Sequence, residues 1–488
     1  MMGAMGPEHE SDAGAAAGAG VAGVNLAGYL DATLGLGEAA RQVRAALEAA
    51  GALVAPLPLA HPSAPREAGA PTAPEGAPHP VTLVCATPDG MAGARAQLPG
   101  AAWDAKQVIG LWWWEVAQVP GRWVRAFDGV DEVWAGSRFV AELLAAVSPV
   151  PVVRMPLPVA EPPVADVTRA QLGLPDTGFL FGFAFDHAST LGRKNPLGLI
   201  AAFARAFPAD AGGEERLVIK TLGGDRHPDA HARLLEAAAE HPRVHVLDRH
   251  LSGAEKNALI AHLDAYVSLH RAEGFGLTLA EAMLLGTPVV ATDYGGSRDF
   301  VTPFTGWPVD HRPVAIGPGN EPYPATGEWA EPDVDHAAAV LRELRAQPQE
   351  AARRAARARQ EVLREHAPAA AGARMVDRLL VRAGLPRRPD GAIDPLDLDA
   401  VAQRVRTGPA APAPAPGSGG AAAGPRAAAR TALLRLLKPY AVHQRLVDEE
   451  LLRTLRTLDE RVRAVAEGQA ALAAELRRRD DRDGGAPG

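Results

Sequence analysis

The sequence predicts an α/β protein with two doubly wound parallel-sheet domains, a flexible linker and a C-terminal coiled-coil helix. Short apolar strands alternate with amphipathic helices in two series, which is typical of parallel sheets with crossover helices. The proline-rich stretch 156–163 separates the two series. A chain of 488 residues also exceeds what one ordinary hydrophobic core accommodates. We therefore predict an N-terminal domain at residues 21–160 and a C-terminal domain at residues 161–384.

The N-terminal domain follows residues 1–20, a Gly/Ala-rich stretch without hydrophobic periodicity that is predicted to be disordered. An apolar strand over 24–30 leads through a polar turn to a helix that opens at Gly35-Leu36-Gly37-Glu38 and stops at Gly51. A further helix is predicted after Ser137, which can cap it. The remaining buried strands of this domain are predicted at residues 81–86, 108–114, 132–135 and 152–155.

The C-terminal domain restarts the alternation with a strand over 179–185. Asn195 and Pro196 begin a helix with proline at its first position, and Ser252 and Glu255 form a capping box for another. Helices from Asp335 onward close the domain near residue 383. The later strands are predicted at residues 217–220, 244–247, 265–270 and 288–292.

Residues after 384 do not continue the alternation of strands and helices. Residues 385–425 are a Pro/Ala/Gly linker, and residues 426–480 are predicted to form an amphipathic helix and a coiled coil. Over 451–476, leucine and valine recur in alternating steps of four and three, broken at Gln469. A homo-oligomer, a partner helix or one long helix folding back onto the body would each cover this seam. The basic, leucine-rich segment 426–438 suggests peripheral contact with an anionic membrane.

Composition and charge exclude several classes of function. The net charge is −8, with 50 Lys and Arg against 58 Asp and Glu, so no basic field favours nucleic acid. The single cysteine, Cys85, excludes an internal disulfide framework and a cysteine zinc cluster. The sequence has no run of about 18 strongly apolar residues and no signal-peptide pattern. We therefore expect a cytoplasmic protein.

The most informative motif is a glycine loop between two glutamates, which spans residues 273–281 and follows the strand ending at His270. Glycines let backbone N–H groups approach a ligand, and a helix start carries partial positive charge, so a polyol or an anion is the expected ligand. Glu273, in apolar surroundings, needs a hydrogen-bonding partner such as a sugar hydroxyl. Glu281 has an alternative interpretation, because together with Thr278 it fits a capping box that needs no ligand.

These residues resemble the retaining GT-B glycosyltransferases of family four, also called glycosyltransferase group one. The family signature is two glutamates separated by seven residues around a Gly-Phe-Gly-Leu loop, here followed by residues 286–292 and the turn Gly295-Gly296. Residues 25–30 and 35–41 match the family's N-terminal half. The resemblance covers residues 21 to about 383. It implies two Rossmann-like domains that face each other across a cleft, with the acceptor on the N-terminal side and the donor on the C-terminal side.

The resemblance also implies roles in binding a nucleotide-sugar donor. Glu281 would hold the donor ribose and Glu273 the transferred sugar. Lys194 and Arg193 lie where the family places its phosphate-binding lysine, and with Glu273 they are the predicted catalytic residues. Glycine amides at the start of the first helix would reach the diphosphate from the other domain. The full set of predicted donor-binding residues is Gly35, Gly37, Gly274, Phe275, Gly276, Leu277 and Glu281.

The sequence departs from the commoner family pattern just before Lys194. An arginine usually stands several residues before this lysine, whereas residues 186–190 contain none and Arg193 is adjacent. A solvated charge pair is the alternative interpretation of Arg193 and Lys194, and it is disfavoured because cations are unfavourable at a helix N-terminus. His187 and His270 are further candidates without an assigned role.

An acceptor site is predicted at Trp114 and Glu115, because ligands of α/β proteins bind where strands end. Six of the eight tryptophans fall between residues 103 and 134. A carbohydrate could use an aromatic platform beside a carboxylate, and the alternative is that these tryptophans belong to the core. No His/Asp/Glu cluster has metal-ligand spacing, so we predict no catalytic metal and no cofactor, as the resemblance to metal-independent GT-B enzymes implies.

The functional hypothesis from the sequence is a retaining hexosyltransferase. It would move a hexose from a nucleotide sugar to a saccharide or lipid-linked acceptor, in cell-surface polysaccharide assembly at the inner face of the membrane. A dinucleotide-dependent oxidoreductase is disfavoured because the third glycine of Gly-x-Gly-x-x-Gly is missing after Gly37. The alternative from another class is a non-catalytic GT-B scaffold that acts through its coiled coil.

Overall fold

The computed structural model describes residues 22–32, 34–61 and 76–384. Two six-stranded parallel sheets, joined by helices, form this part of the chain, together with one two-stranded sheet. The predictions for residues 1–20, the linker 385–425 and the tail 426–480 lie outside the described residues.

Six parallel strands form the N-terminal sheet. They are β1 (Gly23–Gly28), β2 (Leu53–Pro58), β3 (Val81–Cys85), β4 (Gln107–Trp112), β5 (Glu132–Ala135) and β6 (Val152–Arg154). Their order across the sheet is β2-β1-β3-β4-β5-β6. The sequence predicts all of them except β2. This strand lies at the edge of the sheet and contains Pro56 and Pro58, which cannot donate to a ladder and so obscure the strand pattern.

Among the described residues, four α-helices accompany the N-terminal sheet. They are α1 (Gly35–Ala49), α2 (Met91–Gln97), α3 (Gly100–Trp103) and α4 (Arg138–Ala145). The prediction that Ser137 caps a helix is confirmed, because its hydroxyl accepts a hydrogen bond from the Val140 N–H at 3.3 Å. This cap fixes the start of α4 at the carboxyl end of β5.

The C-terminal sheet is also six-stranded and parallel. Its strands are β7 (Phe179–Asp186), β8 (Glu215–Leu222), β9 (Val244–Asp248), β10 (Ala265–Ser268), β11 (Val289–Thr292) and β12 (Trp307–Val309). Their order is β12-β11-β10-β7-β8-β9, so the chain runs outward from β7 and returns beside it with β10. The sequence predicts five of these strands. The sixth, β12, is a three-residue edge strand, too short to show an alternating pattern.

Nine further α-helices follow the N-terminal sheet within residues 76–384, and all but the last, α13, accompany the C-terminal sheet. They are α5 (Arg169–Leu172), α6 (Leu191–Lys194), α7 (Pro196–Ala206), α8 (Pro228–Ala239), α9 (Gly253–Ala261), α10 (Leu277–Leu284), α11 (Val334–Ala346), α12 (Pro348–His366) and α13 (Pro368–Gly384). Pro196 is the first residue of α7, as predicted. The capping box of α9 is also confirmed, because the Glu255 N–H donates to Ser252 Oγ at 3.2 Å and the Ser252 N–H donates to Glu255 Oε2 at 2.8 Å.

An antiparallel hairpin that the sequence analysis does not predict follows β12. Its strands are β13 (His311–Ala315) and β14 (Glu328–Pro332). Tyr323 from the connecting loop and Trp329 from β14 are buried in the same apolar cluster as Trp114 of the N-terminal domain. The Glu328 N–H also donates to Gln118 Oε1 at 3.0 Å. The hairpin therefore packs against the loop that follows β4.

The last described helix, α13, follows the C-terminal domain in sequence and packs against α1 of the N-terminal domain. Gly372 allows this close approach, since a Cβ atom there would clash with the Ala46 carbonyl. Arg378 of α13 forms an ion pair with the fully buried Glu132 of β5. A buried carboxylate needs such a partner, so α13 completes the N-terminal domain.

Candidate active site

The candidate site lies where loops from the carboxyl ends of both sheets meet. Ser137, after β5, donates its hydroxyl to the Gly274 carbonyl at 2.6 Å. A Cβ atom on Gly274 would lie 2.6 Å from the carbonyl oxygen of Trp114, which follows β4. A Cβ atom on Gly296 would clash with the Gly274 carbonyl. Glycine is needed at both positions because three backbone segments pass close together.

The same place is the topological switch point of the C-terminal sheet. β7 and β10 are neighbours there, although three crossover connections separate them along the chain. The loop after β7 carries Arg193 and Lys194, and the loop after β10 carries Glu273. Ligands of doubly wound sheets bind in the crevice at such a point. The fold therefore brings together the two motifs that are 79 residues apart in sequence.

Glu273 and Lys194 form the central ion pair of the site. Lys194 Nζ lies 2.6 Å from Glu273 Oε2, and each side chain is only 16% exposed. Arg193 Nη1 lies 3.9 Å from the same carboxylate oxygen. Burial would raise the pKa of Glu273, but the charges of Lys194 and Arg193 outweigh it and lower this pKa to about 2. Glu273 is therefore ionised at neutral pH.

Local backbone geometry explains how two adjacent cations reach this position. Arg193 and Lys194 end the one-turn helix α6, and Asn195 follows in the left-handed conformation, with φ of 52°. The Asn195 side chain caps α7 and donates to the Leu269 carbonyl beside β10 at 2.9 Å. The two cations thus lie at a helix C-terminus, where the dipole favours positive charge. The interpretation as a solvated pair is wrong, since both side chains are largely buried.

Arg193 is the more enclosed of the two cations. Its guanidinium donates to the Ser189 carbonyl at 3.1 Å and to the Ala272 carbonyl at 3.3 Å. Its Nη1 atom also lies 3.9 Å from Glu115 Oε1 of the N-terminal domain. Arg193 therefore ties the loops after β7 and β10 together and places its charge between Glu115 and Glu273.

Glu281 lies on α10 and pairs with a lysine that sequence analysis did not assign to the site. Lys256 Nζ, from α9, lies 2.6 Å from Glu281 Oε2. The capping-box interpretation of Glu281 is wrong, because α10 starts after Gly276, which provides no side-chain cap, and Thr278 is its second residue. The only feature of the sequence that draws attention to Lys256 is that lysine is rare, because the chain has only five.

The remaining loop residues hold the site in shape. Phe275 is buried, with its ring centroid 5.3 Å from that of Phe300 and 5.1 Å from that of His366. Gly276 has a φ of 95°, a left-handed conformation that glycine adopts without strain, and Leu277 is the first residue of α10. These contacts orient the backbone of the glycine loop toward the carboxyl ends of the N-terminal strands.

At the N-terminus of α1, Gly35 is exposed and Gly37 is buried. A Cβ atom on Gly37 would clash with the Ala32 carbonyl, so packing alone requires this glycine. Contact of either amide with a diphosphate stays a prediction.

The two predicted acceptor residues differ in their surroundings. Trp114 is 3% exposed, donates its Nε1–H to the Gln118 carbonyl at 2.8 Å and packs against the rings of Trp123 and Tyr323. Glu115 is partly exposed and accepts a hydrogen bond from the Tyr323 hydroxyl at 3.2 Å. Trp114 is therefore a core residue in this structure, and Glu115 presents its carboxylate near Arg193. Their contact with an acceptor stays a prediction.

The two histidine candidates are both buried. His270 lies 3.0 Å from Ser268 Oγ and 3.1 Å from the Tyr294 carbonyl, and burial lowers its pKa to about 4. His187 lies 3.4 Å from a ring nitrogen of His231, and burial lowers its pKa as well. Within the described ranges, no group of three or more His, Cys, Asp or Glu side chains is arranged to hold a metal ion.

Two Rossmann-like domains whose strand ends meet at one site define the GT-B fold, and this chain has that fold. Residues 188–316 match the family model described as glycosyl transferases group 1, so this part of the chain is a glycosyltransferase group 1 domain. The match contains Arg193, Lys194, Glu273 and Glu281.

Solved structures agree on the fold. Sucrose-phosphate synthase from Thermosynechococcus elongatus aligns with a TM-score of 0.55 and 19% identity, over 74% of this chain and 99% of that one. Anabaena HepE in complex with UDP-glucose aligns with a TM-score of 0.54 and 15% identity, over 73% and 99% of the two chains. A glycosyltransferase from Rickettsia africae aligns with a TM-score of 0.52 and 13% identity, over 74% and 97%. At these identities the likeness concerns the fold.

One curated relative matches a short segment. The lipopolysaccharide core biosynthesis mannosyltransferase LpsB of Rhizobium meliloti (strain 1021) is 58% identical over 40 residues, which is 8% of this chain. The chain thus spans about a tenth of that relative's length, 11%.

Proposed function

We propose that this protein is a retaining glycosyltransferase that moves a hexose from a nucleotide-sugar donor to a saccharide or lipid-linked acceptor. The observation that carries the proposal is the buried pair of Lys194 and Glu273 at the switch point, with Arg193 beside it. Fixed positive and negative groups at one crevice suit a ligand that has a diphosphate at one end and sugar hydroxyls at the other.

The charges account for the proposed chemistry. Transfer breaks the bond between the sugar C1 and a phosphate oxygen, and the electron pair leaves with the diphosphate. Lys194 and Arg193 would stabilise that developing negative charge, and a well-placed donor of this kind contributes about 3 kcal/mol. Glu273, which stays ionised, would accept hydrogen bonds from the sugar hydroxyls and oppose the positive charge that forms on the ring.

Retention of configuration follows from the proposed direction of attack. The acceptor hydroxyl would form its bond to C1 on the face that the diphosphate leaves, and the departing phosphate oxygen would take the hydroxyl proton. This route requires neither a metal ion nor a separate general base. Glu115, which follows β4 of the N-terminal domain and lies near Arg193, would face the acceptor.

The proposal covers any hexose as the transferred sugar and any nucleoside diphosphate as its carrier. HepE binds UDP-glucose, and LpsB is a mannosyltransferase of lipopolysaccharide core biosynthesis. Both proteins are compatible with a hexose donor, and the similarity to LpsB supports a role in cell-surface polysaccharide assembly.

A thermal-shift screen of UDP-glucose, GDP-mannose and ADP-glucose tests donor binding. A true donor at 100 times its dissociation constant should stabilise the protein by about 2.7 kcal/mol. Transfer to sugar acceptors is then followed by NMR of the anomeric proton, with and without EDTA. An inverted anomer would contradict retention, and loss of activity in EDTA would contradict metal independence. Donor binding without transfer to any acceptor would favour the non-catalytic scaffold.

We also propose a cytoplasmic location, with the tail as the means of association. Within residues 22–32, 34–61 and 76–384, no helix is long and apolar enough to cross a membrane. Residues 451–476 would pair with a second copy or a partner helix, and residues 426–438 would contact anionic lipid. Deleting residues 426–488 should leave donor binding intact and convert an oligomer to a monomer in light scattering. Full-length protein that is monomeric at micromolar concentration, or that fails to float with acidic liposomes, would contradict the respective proposal.

A further inference from the structure

We propose that Lys256 is a positioning residue that holds the Glu281 carboxylate for the two ribose hydroxyls of the donor. In this way it gives the site its preference for ribonucleotides. The inference rests on the proposed function, because it assumes a nucleotide-sugar donor. It goes further in naming a residue outside the two-glutamate motif on which recognition of the ribose depends.

Lys256 contacts the Glu281 carboxylate directly, although it lies far in sequence from Arg193 and Lys194. Lys256 is the fourth residue of α9, and Glu281 is the fifth residue of the neighbouring helix α10. The Nζ to Oε2 distance is 2.6 Å, which is a charge-assisted hydrogen bond. The Glu281 side chain is 9% exposed and that of Lys256 is 28% exposed.

The contact leaves Glu281 able to bind a ligand. An ionised carboxylate has about four acceptor positions on its two oxygens, and the ammonium occupies one of them. The remaining positions suit two adjacent hydroxyls such as the 2′ and 3′ groups of ribose.

The framework around the pair is fixed on both helices. The capping box of Ser252 and Glu255 sets the start of α9. Asn257, next to Lys256, donates to the Pro163 carbonyl at 2.8 Å. Thr287, just after α10, donates its hydroxyl to the Ile260 carbonyl of α9 at 3.0 Å. The two helices are therefore joined, and such support is what a precise hydrogen-bonding group requires.

A purely structural role for Lys256 makes a different prediction. If the ion pair with Glu281 only stabilised the fold, its loss would lower the melting temperature without distinguishing one nucleotide from another. A positioning role instead changes the ratio of affinities for two ligands that differ only in the hydroxyls that Glu281 binds. That ratio is independent of moderate changes in overall stability.

The experiment measures dissociation constants of the full-length protein by calorimetry for UDP, GDP and ADP and for their 2′,3′-dideoxy counterparts. For the base that the parent protein binds, we expect a clear preference for the ribose form. Lys256→Met should reduce this preference about tenfold and leave the affinity for the dideoxy form nearly unchanged. Lys256→Arg should recover part of it. Lys106→Met, which removes a lysine bound to the Ala383 carbonyl, is the matched control and should change nothing.

A double-mutant cycle keeps the test independent of folding defects. If Lys256 acts through Glu281, Lys256→Met should add no further loss of preference to Glu281→Gln. Unchanged preference in Lys256→Met, or parent protein that binds ribose and dideoxy forms equally, would overturn the inference and leave the proposed function standing. Parent protein that binds none of the nucleoside diphosphates would overturn both.

Discussion

Glu273 keeps its charge at a buried position because two cations surround it. Its interaction with Lys194 and Arg193 lowers its pKa despite burial. The Glu273 carboxylate and the Lys194 ammonium therefore stabilise each other's charge. Removing one partner leaves the other as an unpaired buried charge. Substitutions at this pair therefore need a stability measurement beside the activity measurement.

Glu273→Gln and Lys194→Ala should each lower the rate of sugar transfer at least tenfold. The first removes the negative charge facing the sugar ring, and the second removes a donor to the leaving diphosphate. Steady-state rates with the donor identified in the thermal-shift screen provide the measurement. Lys106→Ala is the control lysine substitution, and melting curves identify variants that are merely unfolded. Parent-like rates in both variants would show that the site assignment is wrong.

His270 should make the folded protein sensitive to acid. Burial lowers its native pKa to about 4 from the ordinary 6.5, so the native histidine is neutral while the unfolded chain takes up a proton below pH 6.5. The contribution of His270 to stability should therefore fall by up to about 3 kcal/mol as pH drops from 6.5 toward 4, and level off below that. Urea midpoints at pH 7 and pH 5 measure this loss.

The substitution His270→Gln isolates this contribution. The variant should be less stable than the parent at pH 7, since it loses the contacts to Ser268 and the Tyr294 carbonyl, and its urea midpoint should change less between pH 7 and pH 5. His250→Gln, at an exposed histidine, is the matched control. Equal pH dependence in the parent and in His270→Gln would contradict the prediction.

At the scale of elements, the sequence was sufficient where strands are buried and helices have strong caps. The interior strands of both sheets and the cap residues Ser137, Asn195 and Ser252 are all present as predicted. The sequence was insufficient for one edge strand of each sheet and for the hairpin. The strands β2 and β12 are short or rich in proline, and β13 carries exposed His311 and Arg312, so none of them shows a regular alternation.

The candidate site was predictable only where its residues form a local sequence motif. The glycine loop and the adjacent Arg193 and Lys194 are local signals, and the sequence sufficed to select them. Lys256, Tyr323 and Ser137 reach the site from other elements, and only the folded chain brings them to Glu281, Glu115 and Gly274. Trp114 is buried in the core, and the sequence pattern alone does not distinguish a strand end in the core from one at a binding site.

The hairpin β13–β14 should stabilise the protein through Tyr323. Tyr323→Phe loses the hydrogen bond to Glu115 and keeps the ring against Trp114, so we expect a loss of about 2 kcal/mol in the free energy of unfolding. Tyr323→Ala also leaves a cavity and should cost about 4 kcal/mol. Urea unfolding followed by tryptophan fluorescence measures both. An alanine variant no less stable than the phenylalanine variant would show that the ring does not contribute by packing.

For the whole molecule, the two domains depend on buried contacts that cross between them. Arg154 at the end of β6 lies 3.1 Å from an oxygen of Asp299 and also pairs with Glu365 of α12. Side chains of all three residues are about nine-tenths buried. Because a buried arginine is costly without its carboxylates, this triad should resist separation of the domains at that point.

The return of α13 to the N-terminal domain has a consequence for synthesis on the ribosome. The N-terminal sheet is translated first, but Glu132 in β5 acquires its partner Arg378 only after nearly 250 further residues have been added, a separation of 246 positions. Until then Glu132 has the Trp134 indole N–H as a partner but no arginine, and one face of α1 is uncovered. The N-terminal domain is therefore completed only after α13 has been synthesised, and a partly folded domain with uncovered apolar surface is prone to aggregation in the interval.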